Sequence, residues 1–170
     1  MNDQWRYSAV SITKYNPLFR DENGYYKKED WLGFFQIGKT FNGEKLTFES
    51  YLLTESKYLQ AAAYFFEYHS CKAMVVKNIE KNDYSDYTYN DREELILIYN
   101  KLTEGAVIPL ADLPVLIKLI LRELIWAEVY CEGSDDIALR FGRDYYMYFN
   151  SGKNMSELFR KTEALGLFVY

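Results

Sequence analysis

The stretch IWAEVYCEGSDDIALRFGRDYYMYF, residues 125–149, decides the fold, because it holds three strand-like runs separated by turn signals. Residues 125–131 alternate in the way of a half-buried strand. A polar turn at 132–135 follows, and extended runs come after it at 137–141 and 145–149. Three consecutive strands with short connections predict an antiparallel β-meander in the C-terminal part of the chain.

Further extended segments are predicted in the N-terminal half. Side-chain alternation indicates a strand at residues 5–14, which stops at Asn16-Pro17. Asn42-Gly43 predicts a tight reversal, since both residues tolerate positive φ. Residues 73–79 are short and rich in β-branched side chains, which favours a strand, although continuation of the preceding helix is left open.

Two helices are predicted around that strand. Apolar residues recur at helical spacing from Thr47 to about residue 70, and the Thr47 hydroxyl suits an N-cap. The second helix covers residues 91–102, with Thr88 or Asn90 as its cap and acids in its first turn.

Two more helices are predicted in the second half. One begins at Asp112, ends near Glu123 and is apolar on nearly every side, which places it at the centre of the core. The other covers residues 155–164. Helices and strands in this order, without a repeat or a linker, predict one α+β domain over residues 1–170 with an antiparallel sheet.

Composition narrows the function classes. The 170 residues include 17 tyrosines, 11 phenylalanines and 3 tryptophans, and 49% of the chain is apolar, which is typical of a folded domain. The net charge of −5 argues against direct nucleic-acid binding, because phosphate contacts require clustered cations. The aromatic residues expected in the core are Phe65, Phe66, Trp126, Phe141 and Phe159.

The sequence also bears on the compartment. The first ten residues lack the basic start and apolar run of an export signal. The longest apolar stretch, residues 113–125, is short and carries charges, so membrane insertion is not expected. We expect a cytoplasmic protein in which Cys71 and Cys131 are reduced core thiols.

Signals of catalysis are weak. His69 is the only histidine, and in a helix its side chain would diverge from that of Cys71, so we expect no catalytic Cys-His pair. These residues also lack the spacing of a zinc site. His69 instead suits the C-terminal end of a helix. Residues 33–40, GFFQIGKT, match the letters of a phosphate-binding loop but lack the required strand before and helix after. Paired acids such as Asp135 and Asp136 are expected to be solvated. We therefore predict no enzyme, no cofactor and no metal site.

Two surfaces rich in acids and tyrosine are predicted to contact a partner. Carboxylates can pair with Arg or Lys of a basic protein, and tyrosine adds rigid contact area. The first surface, here called the acidic ridge, comprises Glu128, Tyr130, Glu132, Asp135 and Asp136. The second, the tyrosine loop, comprises Asp83, Tyr84, Asp86 and Tyr87. The alternative for both is a charged surface that is merely solvated.

Two sequence blocks carry a resemblance to a known family. SITKYNP at 11–17 and FRDENGY at 19–25, with Trp31 and the IGK of 37–39, resemble the N-terminal pattern of small bacterial immunity proteins of polymorphic toxin and contact-dependent growth inhibition systems. FGRDYYMY at 141–148 resembles their C-terminal pattern. The resemblance implies a cytoplasmic inhibitor that binds a cognate toxin C-terminal domain, often a basic nuclease, and it transfers no catalytic residue.

The expected function is therefore that of an immunity protein, or antitoxin, which neutralises its toxin by protein–protein interaction. The acidic ridge fits this role independently, since an acidic face steers toward a cationic nuclease. The alternative is a non-enzymatic regulatory or scaffold module with another partner. A third possibility, an enzyme that uses carboxylates or Lys39, is not favoured.

Overall fold

A seven-stranded antiparallel sheet carries four helices in this structure, a computed structural model that describes residues 9–170. The strands are β1 Val10–Thr13, β2 Thr40–Phe41, β3 Glu44–Lys45, β4 Ala73–Lys81, β5 Val107–Pro109, β6 Ile125–Cys131, β7 Ala138–Phe141, β8 Tyr146–Asn150 and β9 Phe168–Val169. The helices are α1 Phe48–Tyr68, α2 Arg92–Lys101, α3 Leu113–Leu121 and α4 Ser156–Ala164. The sheet order is β5-β4-β6-β7-β8-β1-β9, and β2 and β3 form a separate hairpin. The α+β prediction is confirmed.

The β-meander lies at the centre of the sheet, where β6, β7 and β8 are neighbours as predicted. Ala127 and Val129 of β6 are buried, and the ring of Phe149 on β8 stacks on Phe65 of α1. Trp126 alternates with the buried residues and is 38% exposed, so its predicted place in the core is wrong. One face of the sheet thus packs on helices, and Trp126 belongs to the other.

The helices confirm the periodicity, with corrections at their caps. Thr47 caps α1 and forms a capping box with Ser50. Asp91 is the N-cap residue of α2, so the prediction of Thr88 or Asn90 there is wrong. The third helix is buried on most sides, as expected, and its chain leaves through Glu123 at φ +60°.

The remaining predictions of extended structure are largely confirmed. The segment 73–79 is a strand, β4, which continues to Lys81. The reversal at Asn42-Gly43 joins β2 to β3. The strand predicted at residues 5–14 is observed at Val10–Thr13, while residues 5–8 lie outside the described residues. Phe65, Phe66 and Phe141 are buried as predicted, and Phe159 is half-buried.

The prediction of free thiols is wrong, because Cys71 and Cys131 form a disulfide. Cys71 lies just before β4, and Cys131 ends β6 opposite Met74. Pairing of β4 with β6 therefore brings two distant cysteines to a Cα–Cα distance of 5.6 Å, within reach of a bridge. Among residues 9–170, no helix has the length and apolar character needed to cross a membrane.

Candidate functional site

The charges of the predicted acidic ridge are partly neutralised by neighbouring strands. Arg140 of β7 donates from Nε to Glu128 Oε2 (3.1 Å) and from Nη2 to the hydroxyl of Tyr130 (2.7 Å). Tyr130 in turn donates to Glu128 Oε2 (2.7 Å) and is only 8% exposed, and burial raises its pKa. Lys77 of β4 pairs with Asp135 (2.6 Å), and this contact lowers the pKa of Asp135.

Two of the four acids of the predicted ridge, Glu128 and Asp135, are therefore paired with cations of the same sheet. Arg140 and Lys77 face the predicted acids across the sheet. The register puts Lys77 of β4 opposite Glu128, and the pairing of Val129 with Leu139 brings Arg140 of β7 opposite Glu128 from the other side. Glu132 and Asp136 remain exposed and form no ion pair with residues 9–170. Those two acids are the solvent-exposed, unpaired charges of the ridge among the described residues.

The tyrosine loop is also less exposed than predicted. Tyr87 is only 6% exposed, its hydroxyl donates to Asp91 (2.8 Å), and its predicted surface position is wrong. Tyr84 is half-buried with its ring edge-on to Tyr99. Asp83 and Asp86 are exposed, and Asp83 accepts hydrogen bonds from Ser85.

Tyr87 belongs to a buried network centred on Arg122. The Arg122 guanidinium donates to both oxygens of Glu55 (2.6 and 2.7 Å) and to Asp91 (2.6 Å), and contacts the Tyr87 hydroxyl. Burial opposes the charge of Asp91, but hydrogen bonding to Tyr87 and the charge of Arg122 lower its pKa. The network joins α1, the end of α3 and the start of α2, and its compensated charges give it a structural role.

A cavity of about 330 Å³ lies between the start of β6, the β7–β8 turn and residues 32–35. We call it the β6–β8 cleft. Its apolar rim consists of Leu32, Phe35 and Trp126, which are 40%, 60% and 38% exposed. Its charged residues are Glu123, Arg143 and Asp144. Clustered large apolar side chains on a surface are typical of a binding site.

Unusual backbone geometry is concentrated at this cleft. Glu123, Asp144 and Tyr145 all have φ near +60°, a region that costs a non-glycine residue of order 1 kcal/mol or more. Tyr145 is fixed there by its buried ring, which packs on Trp31 and whose hydroxyl donates to Tyr51. Such conformations cluster at functional sites, so they support a role for the cleft.

The two carboxylates of the cleft influence each other. Burial and then the negative charge of Asp144 raise the pKa of Glu123. Neither carboxylate forms an ion pair with a residue in the described range. A Cβ at Gly33 would lie 2.6 Å from Glu123 Oε1 and 2.8 Å from Cε1 of Phe35, so glycine permits the close approach of both side chains.

The other candidate chemistry lacks a suitable arrangement. Within the described residues, no group of three or more potential metal ligands occurs. His69 caps the C-terminal end of α1 as predicted, and burial and Lys153 lower its pKa. Cys71 is in the disulfide and supplies no thiolate. Residues 33–40 lead from a short 3₁₀ turn into the β2–β3 hairpin, which is not the context of a phosphate-binding loop.

The cleft was only partly visible in the sequence. Glu123 stands out among the acids from 123 to 139. Phe35 lies in the segment that matches the letters of a phosphate-binding loop and Asp144 in the FGRDYYMY block, and neither pattern indicates a cleft. The one usable signal is the alternation of β6, which places Trp126 on the same side of the strand as Glu128 and therefore away from the buried Ala127. Comparison with known proteins finds no matching family model, no matching curated protein and no matching solved structure.

Proposed function

We propose that this protein is an immunity protein that binds and neutralises a cognate bacterial toxin domain by protein–protein contact. The observation that carries the proposal is the β6–β8 cleft, where exposed Trp126 and Phe35 adjoin the carboxylates of Glu123 and Asp144, which form no ion pair within residues 9–170. Aromatic anchors beside charges are the usual composition of an interface hot spot. The proposed activity is inhibition, without catalysis or a cofactor.

Charge supports a basic nuclease as the toxin. The net charge is −5, and Glu132 and Asp136 add exposed acids near the end of β6. An acidic inhibitor associates faster with a cationic partner, and salt weakens this effect. In this proposal the acids outside the cleft steer the encounter, while the apolar rim provides affinity.

Co-expression tests the proposal directly. The first step is to search the neighbouring genes for a large secreted protein, whose C-terminal domain would serve as the toxin probe. The wild-type protein is then expected to restore growth and to bind that domain in a salt-sensitive manner. Trp126→Ala is expected to weaken binding at least about tenfold. The matched control is Leu97→Ala, which removes an exposed apolar side chain from α2, away from the cleft; Leu97 is 60% exposed and Trp126 38%.

Three results would count against the proposal. Absence of both rescue and binding contradicts it. Equal effects of Trp126→Ala and Leu97→Ala would move the interface away from the cleft. Binding that is insensitive to salt favours the second candidate, a regulatory or scaffold module that uses aromatic contacts alone. The observation that favours this candidate is the neutralisation of Glu128 and Asp135 by Arg140 and Lys77.

The proposal includes a cytoplasmic location, and the disulfide makes that location testable. Disulfides are rare in the cytosol. Alkylation of thiols in intact cells measures how much Cys71 and Cys131 are bridged there. A fully oxidised pool would place the inhibitor in an oxidising compartment and would change the class of toxin it meets.

A further inference from the structure

The β6–β8 cleft has the features of a receptor for one cationic side chain. An apolar rim with two aromatic side chains, Phe35 and Trp126, stands beside the carboxylates of Glu123 and Asp144. We propose that the cleft captures a single arginine side chain of the toxin, with the guanidinium against the aromatic rim and its N–H groups directed to the two carboxylates. This inference rests on the proposed function, because it names the group by which the partner is held.

The same combination of ring and carboxylate already holds cations elsewhere in the molecule. Lys14 Nζ lies 4.0 Å from the ring centroid of Trp31 and 2.7 Å from Asp30. Lys77 Nζ lies 4.4 Å from the ring centroid of Tyr130 and pairs with Asp135. In both places a cation bridges an aromatic face and a carboxylate. At Lys77 the hydrogen bond to Asp135 raises the pKa of the amine, whereas at Lys14 burial outweighs the corresponding contacts.

Charge fixes the number of cations that the cleft can accept. Glu123 and Asp144 contribute two negative charges, and Arg143 contributes one positive charge. One arginine brings the formal charge of these groups to zero, whereas a second would be repelled. The volume of about 330 Å³ is near the lower end of ligand pockets, so it suits one long side chain.

The choice of arginine follows from geometry. A planar guanidinium can stack on an aromatic face and still direct N–H groups to two carboxylates, whereas an ammonium is a compact and strongly hydrated charge. The negative charges of Glu123 and Asp144 repel each other, and a bound guanidinium would reduce this repulsion. A lysine is therefore expected to bind in the same place but more weakly.

Short peptides test this inference without the toxin. The probes are acetyl-Gly-Arg-Gly-amide and its citrulline analogue, which has nearly the same shape and no charge. The readout is the NMR shift of the Trp126 indole N–H and the Gly142 amide, both at the cleft. The arginine peptide is expected to give a saturable shift with a dissociation constant on the order of 1–10 mM, and citrulline at least about tenfold weaker binding.

Variants localise the effect. Glu123→Gln with Asp144→Asn is expected to abolish the preference for arginine, whereas Glu67→Gln with Glu163→Gln removes the same charge from exposed positions of α1 and α4 and should leave it unchanged. Gly33→Ala would push Glu123 and Phe35 aside without removing a functional group, and should weaken arginine binding. Its backbone is extended at φ −173°, which alanine adopts freely.

The outcomes separate this inference from the proposed function. Equal binding of the two peptides, no binding of either, or equal loss in the two double variants would overturn the arginine site. Toxin neutralisation that depends on Trp126 would then still support an immunity protein. Conversely, arginine selectivity at Trp126 without any rescue of growth supports the cleft as a receptor for a cation and contradicts the toxin as its partner.

Discussion

Removal of the disulfide is expected to cost more stability than any single surface change. The bridge joins the start of β4 to the end of β6 and closes a loop between cysteines 60 residues apart. A loop of this length restricts the unfolded chain by about 4 kcal/mol at 25 °C. That is a large part of the roughly 5–15 kcal/mol that stabilises an ordinary domain.

Urea unfolding measures this contribution. With an m-value of about 2 kcal/mol per M, reduction of the wild-type protein is expected to lower the unfolding midpoint by about 2 M urea. Tryptophan fluorescence and far-UV circular dichroism follow the transition, and parallel thiol titration of unfolded protein reports whether the bridge was present.

The variant Cys71→Ala/Cys131→Ala provides the control. It should unfold near the midpoint of the reduced wild type and should not respond to reductant, since it has no bridge to lose. Coincident unfolding curves for the wild type with and without reductant would refute the reasoning, as would two free thiols in protein unfolded without reductant.

Three further stability measurements follow from the structure. Burial lowers the pKa of Lys14 to about 8, so the native state loses this proton at a lower pH than the unfolded state does. The free energy of unfolding should therefore rise by up to about 2 kcal/mol from pH 8 to about pH 10, and should then fall as tyrosines of the unfolded chain ionise. Lys14→Met should abolish the rise in urea midpoints, and a flat wild-type profile would contradict the assignment. Glu55→Gln leaves the buried Arg122 with Asp91 as its remaining carboxylate partner and should cost about 3 kcal/mol in thermal unfolding, whereas Glu55→Leu/Arg122→Met should recover most of it; equal losses would argue against the pair. Thr47→Ala should cost about 1 kcal/mol and Thr47→Ser far less, because serine keeps the cap; identical melting temperatures would argue against it.

Local patterns predicted the fold wherever a single element carried the information. Alternation within β6 gave its bounds as observed, and the cap at Thr47 with helical spacing gave the start of α1. The disulfide was missed because it depends on the pairing of β4 with β6, which no local pattern specifies.

The same limit explains the errors in the predicted binding surfaces. Glu128 is neutralised by Arg140, a residue on the next strand that comes opposite only through the register of β6 and β7. Tyr87 sits among acids in the sequence, yet its hydroxyl is taken up by Asp91 and Arg122. A prediction made from sequence neighbours alone therefore fails to identify which charges and aromatic rings are exposed in the folded protein.

The tyrosine-rich core has a direct bearing on the cleft. Tyr58 donates from its hydroxyl to the backbone carbonyl of Tyr145 (2.7 Å), and the two rings meet edge-on. Tyr145 is fixed through both its ring and its backbone. These contacts hold Asp144 and Tyr145 at positive φ, a strained conformation that a turn without them would not keep. Packing on the helix side of the sheet thus positions the Asp144 carboxylate at the cleft beside Glu123, and the buried aromatic side chains order this turn from within.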